Sequence, residues 1–215
     1  MLNGSRGPTR TRTAVSQHEM TPSVVGPGQI ETALQILVDA FYDDPVWGWA
    51  FPDALHRRDQ HRVLWRAALD GAMRYPWVWL APGDTATSVW IPPEGTELSE
   101  EQAARFEPML RDLLGPGADR VLETFDAFEH AHPTSVPHFY LSLLGTAPAS
   151  RGHGFGLTLM AQNLRHIDEL GAPAYLESSN AANVTLYRRY GFEVLSTFAP
   201  PGGPQIAGMW REAVR

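Results

Sequence analysis

Apolar positions recur along this chain at two spacings, and the switch between them marks its elements. A short strand is expected near Thr21 to Val25, and Ile30, Ala33, Leu34, Leu37 and Phe41 then fall on one face of a helix. A second helix is expected over His56 to Tyr75, with Val63, Leu64, Ala67, Ala68 and Gly71 inward and His56 and His61 solvated. Trp77 to Leu80 and Thr85 to Ile91 read as strands joined by a hairpin turn at Ala81 to Asp84. Ser99, with Gln102 three residues on, is a capping box. It opens a helix that turns Phe106, Met109, Leu110 and Leu113 inward and stops at Gly115-Pro-Gly. Val121, Leu122, Phe125 and Phe128 carry a further helix.

The stretch from His138 to Leu170 organises the rest. His138 to Thr146 is apolar, rich in strand formers and closed by Pro148. Glycines follow at 152, 154 and 156, and then Leu157, Met160, Ala161, Leu164 and Ile167 recur at helical spacing. A strand thus runs through a glycine-rich turn into a helix. Beyond it, Ala174 to Ser178 reads as a strand and Asn183 to Tyr190 as a short helix ended by Gly191. Glu193 to Phe198 and Ile206 to Trp210 read as a closing antiparallel pair.

The glycine turn has a physical use. The first turn of a helix leaves N–H groups unpaired and is partly positive. Glycines let the main chain approach a ligand closely, so phosphate oxygens can rest on those groups. With Arg151 beside them, residues 151–156 offer a pyrophosphate seat. The same pattern occurs in dinucleotide-binding folds, and it can also be a plain tight turn. There is no Gly-Lys-Ser/Thr of a P-loop, and a Rossmann glycine turn belongs near the start of its domain, not after residue 150.

A second stretch sharpens the reading: Asn180-Ala-Ala-Asn183-Val-Thr-Leu186-Tyr187-Arg-Arg-Tyr-Gly191-Phe192. Arg151-x-x-Gly154-x-Gly156 resembles the acetyl-CoA pyrophosphate loop of the GCN5-related N-acetyltransferase (GNAT) superfamily, and Asn180 to Phe192 resembles its second cofactor motif. Both lie in the family's order and separation. The insertion before the central strand, with Ser88 to Glu94 and Gly202 to Met209, is similar to the puromycin N-acetyltransferase-like branch. The resemblance implies an α/β (α+β) fold: a mixed, mostly antiparallel twisted sheet with helices on both faces. Its two central parallel strands, ending near Gly145 and Ser178, are then expected to splay around the cofactor.

The resemblance also implies roles. Acetyl-CoA would be held by Leu144, Thr146, Arg151, Gly152, His153, Gly154, Phe155, Gly156, Asn180 and Asn183, and Tyr187 would protonate the departing thiolate. His153 stands where the loop often has a basic residue. Asn183 replaces a small residue, leaving open which asparagine meets the cofactor. An acceptor amine must lose a proton to attack, since a free alkylammonium titrates near ~10.4. Glu177, acting through a water, is the first candidate base, with Asp43, Asp44 and His138 also open. The aromatic, acidic run from Phe41 to Asp53 reads either as a buried cluster or as the wall of an acceptor pocket using Asp43, Asp44 and Trp47. His138 would then stand at the pocket edge. The expected function is acetyl transfer to a primary amine of a small molecule. A non-catalytic acyl-CoA sensor, a nucleotide-binding protein and a protein N-acetyltransferase are the alternatives.

Composition narrows partners and setting. The 215 residues suit one domain, expected over 21–215, and residues 1–20 read as a disordered tail without apolar periodicity. No apolar run approaches the ~20 residues of a membrane span. A net charge of −7 argues against a nucleic-acid surface and favours cationic small partners. The chain has no cysteine, so disulfide and thiolate chemistry drop out and a cytoplasmic location is compatible. His130, His132 and His138 lack the regular spacing of a zinc site, so no metal is expected. A monomer or homodimer is expected.

Overall fold

The computed structural model describes residues 21–214, so the tail expected over 1–20 lies outside the described residues. Seven strands form one sheet: β1 (Ser23–Val24), β2 (Val78–Leu80), β3 (Ala86–Ile91), β4 (Phe139–Thr146), β5 (Ala174–Ser178), β6 (Glu193–Phe198) and β7 (Ile206–Arg211). Their spatial order is β1-β2-β3-β4-β5-β7-β6. Every neighbouring pair is antiparallel except β4 and β5. The sheet is therefore mixed, mostly antiparallel and open, as expected.

The parallel pair is short. Phe139, Tyr140 and Leu141 pair with Ala174, Tyr175 and Leu176, and pairing stops there although both strands continue. From Ser142 onward β4 has its other neighbour, β3, but no longer β5. This is the expected splay.

Among the described residues seven α-helices cover the sheet: α1 (Ile30–Phe41), α2 (Pro45–Ala50), α3 (Arg57–Ala72), α4 (Glu100–Leu114), α5 (Ala118–Ala131), α6 (Phe155–Glu169) and α7 (Ala181–Arg188). One apolar core joins α1, α2, α3, α4 and α5 to the first strands, through Leu34, Leu37, Trp65 and Leu110. A second core joins α6 and α7 to the other part of the sheet, through Met160, Leu164, Ile167 and Phe192. Helices thus lie against both faces. No helix among the described residues is long and apolar enough to cross a membrane.

Several expectations are corrected. In α3 the buried face is His61, Leu64, Trp65, Leu69 and Ala72, whereas Val63 is 38% exposed. His61 is not solvated but fully buried, because Phe51 and Trp65 enclose its ring. The run after Phe41 contains a short helix, α2, started by Pro45 and capped by Asp44, whose Oδ1 accepts from the Val46 and Trp47 N–H groups. The link at Pro82–Asp84 is one 3₁₀ turn, with Gly83 and Asp84 at positive φ. α7 begins at Ala181, two residues earlier than expected, because Asn180 supplies its N-cap.

Candidate functional site

The splay opens into a cavity of about 490 Å³. Strand alternation builds one wall. Even-numbered residues of β4 are the less buried ones, and Tyr140, Ser142, Leu144 and Thr146 all line the cavity. Glu177 and Ser178 of β5 enter from the other side, followed by Asn180, Asn183 and Tyr187 of the α7 motif. Asp43, Asp44 and Trp47 close it from the α1–α2 segment, and Arg151 stands at the glycine loop. In the 41–53 run Trp47 is buried against Trp65, Phe125 and Phe128, and the same cluster lines the cavity.

The glycine loop has the required backbone. Gly152 and Gly154 both sit at φ +78°, a conformation that strains any residue with a Cβ, and Gly154 is the N-cap of α6. Gly156 is needed for another reason: a Cβ there would stand 2.5 Å from Thr146 Oγ1, so glycine lets α6 close onto β4. Gly152, His153, Gly154, Phe155 and Gly156 do not line the cavity itself and form the approach to it. His153 is exposed, with Nδ1 2.9 Å from the Arg151 carbonyl. Arg151 Nη2 donates to the Asp39 carbonyl at 2.6 Å, tying the loop to the end of α1. The Asn180 side chain caps α7 by accepting from Ala182 N at 3.0 Å.

Two ionisable groups face each other across the α2–α7 side. Burial pushes the Tyr187 phenol up to about 12, and the nearby Asp44 charge adds to that. Asp44 is itself raised by burial, opposed by the Ser179 hydroxyl, which donates to its Oδ2 at 2.6 Å, and by its two cap bonds. Tyr187 therefore keeps its proton across the neutral range and can give it to a strong base.

The floor carries a carboxylate that sequence reasoning missed. Glu97 lies in the link before α4 and accepts from the Ser142 hydroxyl. Burial raises its pKa, and the neighbouring Glu177 charge adds to the rise. Its segment is clamped from several sides. Arg74 Nη2 donates to the Thr96 carbonyl at 2.6 Å, Thr96 N donates to Tyr75 Oη at 3.1 Å, and Gly71 of α3 lies directly against the Glu97 carbonyl. Nothing in Glu94-Gly-Thr-Glu97 separates this residue from a solvated loop acid. Tyr140 and Ser142, in contrast, follow from period-two alternation once Leu144 and Thr146 are placed.

His138 does not stand at the cavity edge. His132, the C-cap residue of α5, does not line the cavity either and lies between His138 and Glu177, its Nε2 3.1 Å from His138 Nε2 and its Nδ1 3.5 Å from Glu177 Oε1. Burial lowers the His138 pKa. His130 turns away, its Nδ1 2.7 Å from the Asp126 carbonyl. Among the described residues no group of three or more His, Cys, Asp or Glu side chains is arranged to hold a metal.

Comparison with known proteins gives this geometry a family. Residues 115–192 match the model of the acetyltransferase (GNAT) family. A mycothiol acetyltransferase of Mycolicibacterium smegmatis is 38% identical over 74 residues, which is 32% of this chain and 24% of that enzyme. Across the mycothiol acetyltransferases it matches, the chain spans 24% to 40% of their length. Among solved structures, an HPA2-related acetyltransferase of Corynebacterium glutamicum superposes with a TM-score of 0.62 at 20% identity, over 91% of this chain and 97% of that one. The Drosophila melanogaster polyamine N-acetyltransferase, which forms N-acetylagmatine, gives 0.61 at 16% identity, over 89% and 99%. These likenesses carry the superfamily and not its puromycin N-acetyltransferase-like branch. With its splayed parallel strands, its glycine loop and the motif from Asn180 to Phe192, the chain resembles the GNAT acetyltransferase family, whose model it matches over residues 115–192.

Proposed function

We propose that residues 21–215 form one acetyltransferase domain that moves an acetyl group from acetyl-CoA to a primary amine of a small molecule by direct attack. The observation that carries this is the placement of Glu177 and Tyr187 in one cavity at the splay. The Glu177 side chain and a protonated phenol line the same space. The residues present fit acetyl-CoA. The left-handed glycines and the first turn of α6 suit its phosphates, and the unpaired edge of β4 from Ser142 to Thr146 suits its amide-bearing arm.

Acetyl-CoA supplies the acetyl group as a thioester. The chain's own residues do the rest. Glu177 takes a proton from the acceptor amine, directly or through a water. Main-chain groups around Leu144 to Thr146 would offer donors to a carbonyl oxygen gaining charge there. Tyr187 would give its proton to a departing thiolate, and Arg151 with Asn180 and Asn183 would hold the cofactor. Asp43, Asp44, Glu97 and Glu177 outnumber Arg151 around a cavity with aromatic walls, which favours a cationic acceptor. The relatives named for mycothiol and agmatine acetylation likewise handle small molecules.

The test is acetyl-CoA-dependent thiol release across a panel of diamines, arylalkylamines, amino sugars and peptides. Tyr187→Phe should lower kcat by about 10²–10⁴-fold with little change in acetyl-CoA affinity. Binding of acetyl-CoA without amine-dependent release would replace the enzyme with an acyl-CoA sensor.

A further inference from the structure

Behind the cavity three groups from separate parts of the chain form one line: Glu177 on β5, His132 ending α5, and His138 just before β4. The Glu177 side chain is 3% exposed and its Oε1 has no hydrogen-bond partner, whereas the His132 side chain is 30% exposed. The line therefore runs from a buried carboxylate outward.

Hydrogen-bonding rules assign the protons along it. His138 Nδ1 lies 2.7 Å from the Val136 carbonyl, which can only accept, so Nδ1 carries the hydrogen. Burial keeps this ring neutral, so its Nε2 is bare. His132 Nε2, 3.1 Å from that bare nitrogen, must then be the donor. A neutral His132 in this tautomer has a bare Nδ1, and that nitrogen faces Glu177 Oε1 at 3.5 Å. The bare nitrogen is therefore an acceptor placed beside the carboxylate.

We propose that His132 takes the acceptor's proton from Glu177 at Nδ1 and delivers it to solvent, with His138 fixing the tautomer that leaves Nδ1 free. This rests on the acetyl-transfer reading above. An acceptor N–H bond breaks as an O–H bond forms on Glu177. That O–H bond then breaks as an N–H bond forms at His132 Nδ1, and this N–H bond breaks in turn as water takes the proton from the same nitrogen. One proton leaves per amide formed, with no redox change. His132 acts through Glu177 and is a positioning and relay residue, not one that touches substrate.

The groups around His132 suit the role. Tyr175 and Glu177 face it from β5, Tyr140 from β4, His138 from the segment before β4, and Glu97 acts on it from the link before α4. Burial holds both tyrosines protonated, so neither competes for the proton. Trp210 of β7 packs against His138 at 5.1 Å and holds the second ring in place.

The experiment uses the full chain with the best amine from the acceptor panel. His132→Gln keeps an amide donor for His138 but cannot titrate. Its kcat should fall by about 10²-fold and its KM for acetyl-CoA should stay within about twofold. Added imidazole should restore part of kcat, and the rate should become dependent on buffer concentration. His138→Phe, which keeps the packing against Trp210 and Tyr175, should show a smaller loss with the same rescue. An unchanged kcat and pH profile in His132→Gln overturns the relay, and so does a loss that neither imidazole nor buffer relieves, because that is a packing effect. If the parent protein releases no thiol with any amine, the acetyl-transfer reading fails first, and that result is visible before any variant is made.

Discussion

His61 gives the fold a measurable pH dependence. Its ring is fully buried in α3, edge-on to Phe51 at 4.9 Å, and neither ring nitrogen has a hydrogen-bond partner. Burial lowers its pKa from 6.5 to about 4 against an opposing backbone approach of Trp47, and Arg57 and Arg58 push the same way as burial. In the unfolded chain the group takes up its proton near 6.5, whereas in the folded protein it does so only near 4. Between those values the unfolded state binds more protons, so stability is fully present above about 6.5 and is lost as pH falls toward about 4. At about 1.4 kcal/mol per pKa unit the full effect is roughly 3 kcal/mol, with about 2 kcal/mol lost by about pH 5. Urea denaturation of the parent and of His61→Phe at about pH 7.5 and about pH 5 isolates it, because every carboxylate contributes equally to both proteins. The variant should gain about 2 kcal/mol on the parent between the two conditions. At the upper pH it should be no less stable, since the change removes two unpartnered nitrogens and keeps a ring. Parallel pH dependences would refute the reasoning, because His61 would then accept its proton inside the folded protein.

Two further outcomes follow from packing and charge. Gly71→Ala should gain helix propensity, yet its Cβ would stand 2.0 Å from the Glu97 carbonyl oxygen, so it should cost about 1–3 kcal/mol and lower kcat/KM by displacing Glu97 from Ser142; equal stability and activity would contradict the close approach. Arg211 joins Asp168 of α6 through two bonds of 2.6 and 2.9 Å and also donates to the Tyr190 carbonyl. Asp168→Ala leaves that largely buried cation unpaired and should lower the melting temperature by roughly 5–10 °C, with Asp168→Leu/Arg211→Met together losing less; a single variant melting with the parent would show the bridge to be of little weight.

Much of the fold is legible locally. The helical repeat of Ile30 to Phe41, the capping box at Ser99 and Gln102, and the strand–glycine–helix sequence from His138 to Leu170 each match an element. These signals are short-range. A cap is a bond three residues long, and a glycine at positive φ follows from one turn of backbone. The side of the site proposed for the cofactor is legible for the same reason, since its groups are consecutive in the loop from Arg151 and the motif from Asn180. The α3 face shows where local reading fails. Val63 and Leu64 are equally apolar in sequence, but the buried stripe is rotated toward His61 and Trp65 because Phe41, Trp47 and Phe51 supply the aromatic partners there.

The sequence by itself determined the element order, the glycine loop, the Asn180-to-Phe192 motif and thereby the family resemblance, because each is a property of neighbouring residues. Tertiary structure decided the opposite wall of the cavity. Glu97 reaches Ser142 across 45 positions, and Ser179 reaches Asp44 across 135. His132 stands between Glu177 and His138 because α5 ends against the splayed strands. The burial of a carboxylate and the partner a histidine meets are set by the fold. Both arise only when distant segments close around the same cavity.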